Sequence, residues 1–418
     1  MHDGTFGVVR QQTLQSWLCV PDSPMIATAM KPIDSIRQHR GAALLFALLT
    51  FPSSALADGT ALADSIPITA AIAMIQSVSP DAAGMKAASE AAAALRVLPA
   101  DRLPQLFDAM SNADAVSRNW IRGIVFDITR QSPSLPKELI ESYAMDRANN
   151  GSGRGLAMEI LQKIAPEQSS KLIMGCLDDP SLPLRQMAVA QTLGRAEAAK
   201  KDGDDDMAKK LYRDALIAAR QPRQLEAAVR SLKDLGETAS IRQAFSMITT
   251  WKAIGPFNNT GGVGFDAVYS PESTYLASQS TDAKPAADGK DGDVMWKDVE
   301  GDADTGKVDL ATAFEKEKGA TAYLFTTFRS PTAQVAQARL GCVTANKVWV
   351  NGQEQMANEV YHSGTALDQY IANVELREGD NTILIKACQN EQTEGWAQDW
   401  EFQFRLTDLN GKGLTSGN

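Results

Sequence analysis

The chain has 418 residues, enough for two ordinary domains that each bury a core of their own. Its 41 Lys plus Arg against 51 Asp plus Glu give a net charge of -10 with no basic stripe, which argues against nucleic acid or an anionic membrane as the main partner. Such a balance chiefly keeps a protein soluble.

Met30 to Ala57 reads as a secretory signal. Lys31, Arg37 and Arg40 form a positive start, Gly41 to Phe51 an apolar core of about eleven residues, and Ser54-Ala-Leu-Ala57 supplies small residues for cleavage. A spanning helix needs roughly 20 apolar residues, and this run is cut short by Pro52 and Ser53. Export with cleavage after Ala57 is therefore expected, to the periplasm or beyond the cell, with no transmembrane segment left. Residues 1–29 precede that signal and read as a leader from an over-extended gene start, with Met25 or Met30 the true initiator; an unusually long positive region is the rival reading.

Beyond Ala57 the cysteines are Cys176, Cys342 and Cys388. Cys342 and Cys388 fall in expected strands of one sheet assembly and are either a bridged pair or buried free thiols. Cys176 sits in an apolar helical run and reads as core.

From residue 62 to 250 the chain is rich in Ala, Leu, Met, Gln and Arg, with apolar residues three and four apart, so helices of roughly ten to fifteen residues are expected. Breaks fall at Ser79-Pro80, Pro99-Ala-Asp101, Ser132 to Pro136, Asn149-Asn-Gly151, Asp179-Pro180 and Gln221-Pro222. A similar unit returns at Asp114 to Arg118, Arg154 to Ala157, Asp179 to Ala188 and Arg223 to Ala228, a period of about thirty to forty residues that suits helix-pair repeats. Asp179 to Leu193 resembles the second helix of a HEAT repeat, with an Asp-Pro turn, the Leu184-Arg185 step and Ala188. In that family the Asp and Arg tie adjacent repeats together, so the resemblance implies an α-solenoid; a non-repeating helical bundle is the alternative. The acidic run Asp202-Gly-Asp-Asp-Asp206 has Met207 and Arg213 where a calcium loop of the EF-hand kind needs Gly and a carboxylate, and reads as a solvated loop.

At Trp251 the pattern turns to period two. Trp251 to Phe257 reads as an edge strand closed by Pro256, Asn258 to Gly264 as a Gly-rich loop, and Ser278 to Gly292 as a long surface loop. Strands are expected at residues 294–299, 320–328, 335–340, 346–350, 370–376, 382–388 and 400–406. Asn351-Gly352 supports a tight hairpin and Gly379-Asp-Asn381 a second turn.

Trp251-x-x-Ile-Gly-Pro-Phe257, Gly306 to Leu310, Ala322 to Phe325, Arg339-Leu-Gly341, Val348 to Gly352, Leu376 to Lys386 and Trp400 to Phe404 resemble a β-sandwich of the galactose-binding type, similar to the sugar-binding domain of family 2 glycoside hydrolases. Related sequences carry an acidic pair after the Leu-Gly step; here Cys342-Val-Thr-Ala345 stands there. The fold class expected is thus multidomain α plus β, with helix-pair repeats over 62–250 followed by an antiparallel β-sandwich or jelly roll over 251–418.

The resemblance implies binding more than catalysis. A glycosidase needs two carboxylates set across a cleft, normally on a catalytic domain for which no stretch remains. His362 is the one histidine beyond Ala57, which disfavours serine triads and multi-histidine zinc sites. The candidate ligand-facing residues are Asn351, Tyr361, His362, Asp368, Asn390, Gln392, Trp396 and Trp400: amides and a carboxylate suit sugar hydroxyls, and Trp396 suits a pyranose face. The competing reading has Trp396 and Trp400 capping the core while the polar residues stitch the loop. No cofactor is expected, and structural calcium has no supporting motif. The expectation is an exported, non-enzymatic protein in which a solenoid presents a sandwich to a glycan or to a cell-envelope protein. The alternatives are a structural adaptor that binds no sugar and an accessory component of a glycoside hydrolase system.

Overall fold

A computed structural model describes residues 66–79, 81–281 and 286–417, so the leader and signal lie outside the described residues. The fold is mixed α plus β, with helices first and antiparallel sheets after them. The helices are α1 (Ile68–Gln76), α2 (Met85–Arg96), α3 (Leu103–Asp108), α4 (Ala115–Gln131), α5 (Lys137–Met145), α6 (Gly151–Ile164), α7 (Pro166–Met174), α8 (Leu182–Lys201), α9 (Asp205–Ala218), α10 (Pro222–Asp234) and α11 (Ile241–Phe245). The breaks read from the sequence that lie among the described residues fall between helices; Asn150 and Ser181 cap the helices that follow two of them, and Asp114 and Asp204 cap two others. Asp114 accepts from Ser117 N–H at 2.7 Å, Asn150 from Gly153 N–H at 2.7 Å and Asp204 from Met207 N–H at 3.1 Å. The acidic run at 202–206 is thereby the link from α8, the cap at Asp204 and the first two residues of α9, Asp205 and Asp206. The longer helices, α4 with 17 residues and α8 with 20, exceed the expected length because no Pro or Gly-Pro pair interrupts them.

A buried ion pair ties α6 to the start of α8. Asp179, just before α8, receives two hydrogen bonds from Arg154 of α6, at 2.9 and 2.8 Å, and both side chains are at most 2 % exposed. Arg185 of α8 donates to the Asp179 carbonyl at 2.8 Å, so the residue fixes two arginines with different atoms.

The strands are β1 (Thr250–Asn258), β2 (Ala286–Asp288), β3 (Asp293–Met295), β4 (Lys297–Glu300), β5 (Val308–Asp309), β6 (Ala320–Ser330), β7 (Gln334–Cys342), β8 (Ala345–Val350), β9 (Gln353–Asn358), β10 (Tyr370–Leu376), β11 (Gly379–Gln389) and β12 (Glu401–Thr407), with short helices α12 (Ser270–Ser278) and α13 (Leu310–Ala313) among them. A six-stranded sheet runs β4-β1-β6-β11-β8-β9, a four-stranded one β10-β7-β12-β5, and β2 pairs with β3. Ile383 and Ile385 of β11, Leu324 of β6 and Val348 of β8 share one buried apolar layer with Leu340 of β7 and with Phe402 and Phe404 of β12, which makes the pair of sheets sandwich-like.

The other face of the six-stranded sheet is also covered. Leu384, Trp349, Tyr323 and Ile254 pack under Tyr275 of α12, which accounts for Trp349 lying opposite Val348 and Val350. Beneath that cover Lys386 Nζ, fully buried, donates to the carbonyls of Phe265 and Ala267 at 2.9 and 2.7 Å and to Glu272 at 3.1 Å; Tyr323 donates to the same carboxylate at 2.7 Å.

Four readings need correction. β1 pairs with both β4 and β6 and is no edge strand; its register shifts between Ile254 and Phe257, so Pro256, which lacks an N–H, sits at an irregularity and not in a ladder. The stretch read as one strand at 294–299 is two, β3 and β4, and the loop read at 278–292 contains β2. Cys342 and Cys388 form no bridge: they stand in opposite sheets and are free, buried thiols, as is Cys176. Burial pushes both the Cys342 and the Cys388 thiol up to about 11.

The helices dock onto the four-stranded sheet. Arg405 of β12 donates to the Phe245 carbonyl at 3.4 Å and lies 4.8 Å over its ring, while Leu367 packs against Val189, Ala218 and Leu225. Lys233 and Asp304, 2.5 Å apart, add an exposed ion pair.

Candidate functional site

The eight candidate residues divide into three places. Tyr361, His362, Asn390, Gln392 and Trp396 come together at one end of the six-stranded sheet. The loop after β9 brings Tyr361 and His362, the loop after β11 brings Asn390 and Gln392, and a single helical turn at Gly395–Ala397 carries Trp396. His362 Nε2 lies 2.9 Å from Asn390 Oδ1, and its ring meets the Trp396 ring edge-on, centroids 5.0 Å apart at 85°. Asn390 Nδ2 donates to Gln392 Oε1 at 2.8 Å, and Gln392 N–H donates back to Asn390 Oδ1 at 3.2 Å. Because that oxygen can only accept, His362 donates from Nε2, which assigns the Nε2–H tautomer; Nδ1 is left buried with no partner among the described residues.

Trp396 is 62 % exposed, far more than a core-capping indole, and its side chain is therefore free to offer a flat apolar face. The floor under it is rigid. Asn259, fully buried, donates to the Gln389 carbonyl at 2.9 Å and to Tyr361 Oη at 3.2 Å, and accepts from Gly264 N–H at 2.9 Å. Glu391 accepts from Gly261 N–H, and Lys318 donates to the Ala397 carbonyl at 2.6 Å. Burial raises the Tyr361 phenol above its ordinary value. Asn259, Gln389 and Lys318 are the residues that sequence reasoning passed over. The Gly-rich stretch beside Asn259 was the available signal, because glycines placed that close together mark a loop packed against something.

The other three candidates are elsewhere. Asn351, at φ 53°, begins the hairpin turn between β8 and β9, at the far end of β8 from Tyr361; it donates to Asn381 Oδ1 at 2.8 Å and accepts from Thr382 N–H at 3.1 Å. Its amide is spent on the turn. Trp400 is 1 % exposed and packs on Phe314 with centroids 5.6 Å apart, so it belongs to the core, as the competing reading held. Asp368 faces the helices. Its carboxylate accepts from Arg405 Nε at 2.7 Å and Nη2 at 2.5 Å, and from Arg339 at 2.7 Å. Burial alone would raise its pKa, but the Arg405 hydrogen bond and the charges of Arg405 and Arg339 outweigh that and hold it below the usual carboxylate value.

Among the described residues no group of three or more His, Cys, Asp or Glu side chains is placed to hold a metal ion, and no helix is long and apolar enough to cross a membrane.

No family model and no curated protein matches this chain. Solved structures overlap with parts of it, among them the following three. A β-glucosidase from Kluyveromyces marxianus in complex with glucose overlaps 22 % of this chain and 11 % of its own, at 9 % identity and a TM-score of 0.18. A family 35 carbohydrate binding module from Clostridium thermocellum overlaps 21 % and 78 %, at 19 % identity and 0.15. A GH31 alpha-xylosidase from Xanthomonas citri overlaps 38 % and 16 %, at 10 % identity and 0.19. The chain thus spans about a tenth of the length of the β-glucosidase, and superpositions this loose carry no argument about fold or function.

Proposed function

We propose that the protein is an exported, non-enzymatic binding protein that takes carbohydrate on the surface formed by Trp396, His362, Asn390 and Gln392. The observation that carries this reading is the exposure of Trp396 beside an ordered amide pair: an indole held open to water offers an apolar plate to the C–H face of a pyranose, and amides at its side exchange hydrogen bonds with hydroxyls. A buried or self-satisfied Trp396 would have removed the reason for it.

In the same reading residues 62–250 form a scaffold of HEAT-like helix pairs and residues 251–418 a galactose-binding-like module. The Arg154–Asp179 pair between α6 and α8 supports the first, since such repeats are held by contacts between neighbours. The shared apolar layer between the two sheets supports the second. Export rests on the residue pattern of 30–57 alone.

The test is affinity electrophoresis of the full chain through gels containing neutral polysaccharides, with and without calcium. Retardation by at least one polysaccharide that is weakened in Asn390→Ala and abolished in Trp396→Ala agrees with the reading; unchanged retardation in both variants refutes the site.

A further inference from the structure

A second site lies where the helices meet the four-stranded sheet, and it does not depend on the Trp396 surface. A cavity of about 310 Å³ opens between the start of α8, the link from α9 to α10 and strand β7, lined by Arg185, Arg220 and Arg339 together with Gln224 and Asp368. It adjoins a second hollow of about 490 Å³ through Gln186, Gln221, Gln224 and Leu367, and Arg223, Lys307 and the acidic Glu226 line that one. The chain as a whole is acidic, at -10, so a cleft with this many cations is a local reversal of charge.

Lys307 is paired with Glu401, but the arginines of the smaller cavity are short of carboxylate. The Asp368 carboxylate is shared between Arg405, itself 1 % exposed, and Arg339, so one negative charge answers two guanidinium groups. Arg185 donates from Nε to a backbone carbonyl, and Arg220 Nη1 caps the carbonyls of Ile217, Ala218 and Ala219 at the end of α9. Neither is in an ion pair among the described residues. Burial and then the like charge of Arg185 lower the Arg220 pKa, with Asp408 acting against them.

Two wall atoms sharpen the ligand. Arg339 Nε and Gln224 Oε1 are both buried without a hydrogen-bond partner among the described residues. The first is a donor in want of an acceptor, and the second an acceptor in want of a donor.

We propose that this cleft binds a small hydroxylated carboxylate, an acidic sugar unit of the uronate class, with the carboxylate between the arginines and a hydroxyl donating to Gln224 Oε1. A guanidinium fork matches a planar carboxylate bidentately, and the cavity falls at the small end of the range that ligand pockets occupy, about 300–1,000 Å³. A neutral sugar lacks the charge, and inorganic phosphate lacks the polyol.

Isothermal titration of the full chain with glucuronate, glucose and inorganic phosphate tests it. In the Trp396→Ala background, which removes the carbohydrate-binding surface, glucuronate is expected to bind, glucose not, and phosphate more weakly than glucuronate; Arg185→Gln and Arg220→Gln should each weaken glucuronate by about tenfold or more, the size of one charged hydrogen bond. Trp396→Ala should itself leave glucuronate affinity as in the unaltered chain, which separates this site from the carbohydrate-binding surface. Since either arginine variant can fold poorly, binding by the unaltered chain is also followed against salt, where affinity should fall steeply from low to physiological ionic strength. No glucuronate binding, equal binding of glucose in the Trp396→Ala background, phosphate binding as tight as glucuronate, salt-independent binding, or glucuronate binding untouched by both substitutions in folded protein would overturn it.

Discussion

His362 Nε2 donates to Asn390 Oδ1 at 2.9 Å, and this bond joins the loop after β9 to the loop after β11 directly beneath the exposed Trp396 ring. The same imidazole lies against the indole, ring centroids 5.0 Å apart at 85°. The imidazole meets it edge-on, and a ring held by a hydrogen bond on its far side cannot swing away to let the indole collapse. His362→Ala should therefore change the orientation of Trp396 while costing little stability, under about 1 kcal/mol for a half-exposed side chain. Near-ultraviolet circular dichroism should lose part of its tryptophan signal at an unchanged denaturation midpoint.

The Asp368 carboxylate, held below its ordinary value of 3.8 by Arg405 and Arg339, makes stability depend on acid. A group whose folded pKa is depressed contributes stability at every pH above its unfolded value and loses it as pH falls through the folded one. Unfolding free energy should thus be level near neutrality and fall below pH 3.8. Asp368→Asn should lose about 3–5 kcal/mol at neutral pH, because it leaves two buried guanidinium groups short of a charge, and should show a shallower acid decline. Urea titrations at several pH values measure both.

Lys386 and Glu272 are a stability element of a different kind. The ammonium has three donors and finds three acceptors, so the buried charge is fully satisfied and anchors both α12 and the Phe265 to Ala267 segment to the sheet. Lys386→Met should destabilise by about 3–5 kcal/mol, as for breaking one side of a buried pair, whereas Lys386→Met with Glu272→Gln should lose less than the sum of the two single changes. A double-mutant cycle in denaturant reads the difference.

The three described thiols should be inert in the folded protein. All are buried, and burial pushes Cys342 and Cys388 up to about 11, so little thiolate exists at pH 8. Alkylation with iodoacetamide followed by peptide mass analysis should leave Cys176, Cys342 and Cys388 unmodified in native buffer and modify all three in guanidinium.

Local chemistry was legible wherever one residue type forces one conformation. Asn351-Gly352 marked the β8–β9 turn because both residues adopt positive φ, at 53° and 79°, and the Asn149-Asn-Gly151 and Asp179-Pro180 breaks fell at helix boundaries. Strand β10 was bounded correctly, while β9 was missed because Gln353-Glu-Gln355 shows no apolar alternation; it is an edge strand with most of its side chains in water. Long-range placement was less legible. Trp400 and Trp396 are four residues apart in one aromatic-rich loop, yet one lies in the core and the other in solvent, and only the packing of Phe314 decides which. Asp368 read as a sugar-facing carboxylate because its partners, Arg339 and Arg405, lie 29 and 37 residues away in strands that meet it only after folding.

The central claim, carbohydrate taken on the Trp396 surface, is tested most directly by isothermal titration of the unaltered chain and of Trp396→Ala with whichever polysaccharide retards the protein. The account predicts micromolar to millimolar binding in the first and at least a tenfold loss in the second, about 1.4 kcal/mol, at equal thermal stability since the ring is 62 % exposed. Equal affinity in the two proteins, both folded, would contradict it.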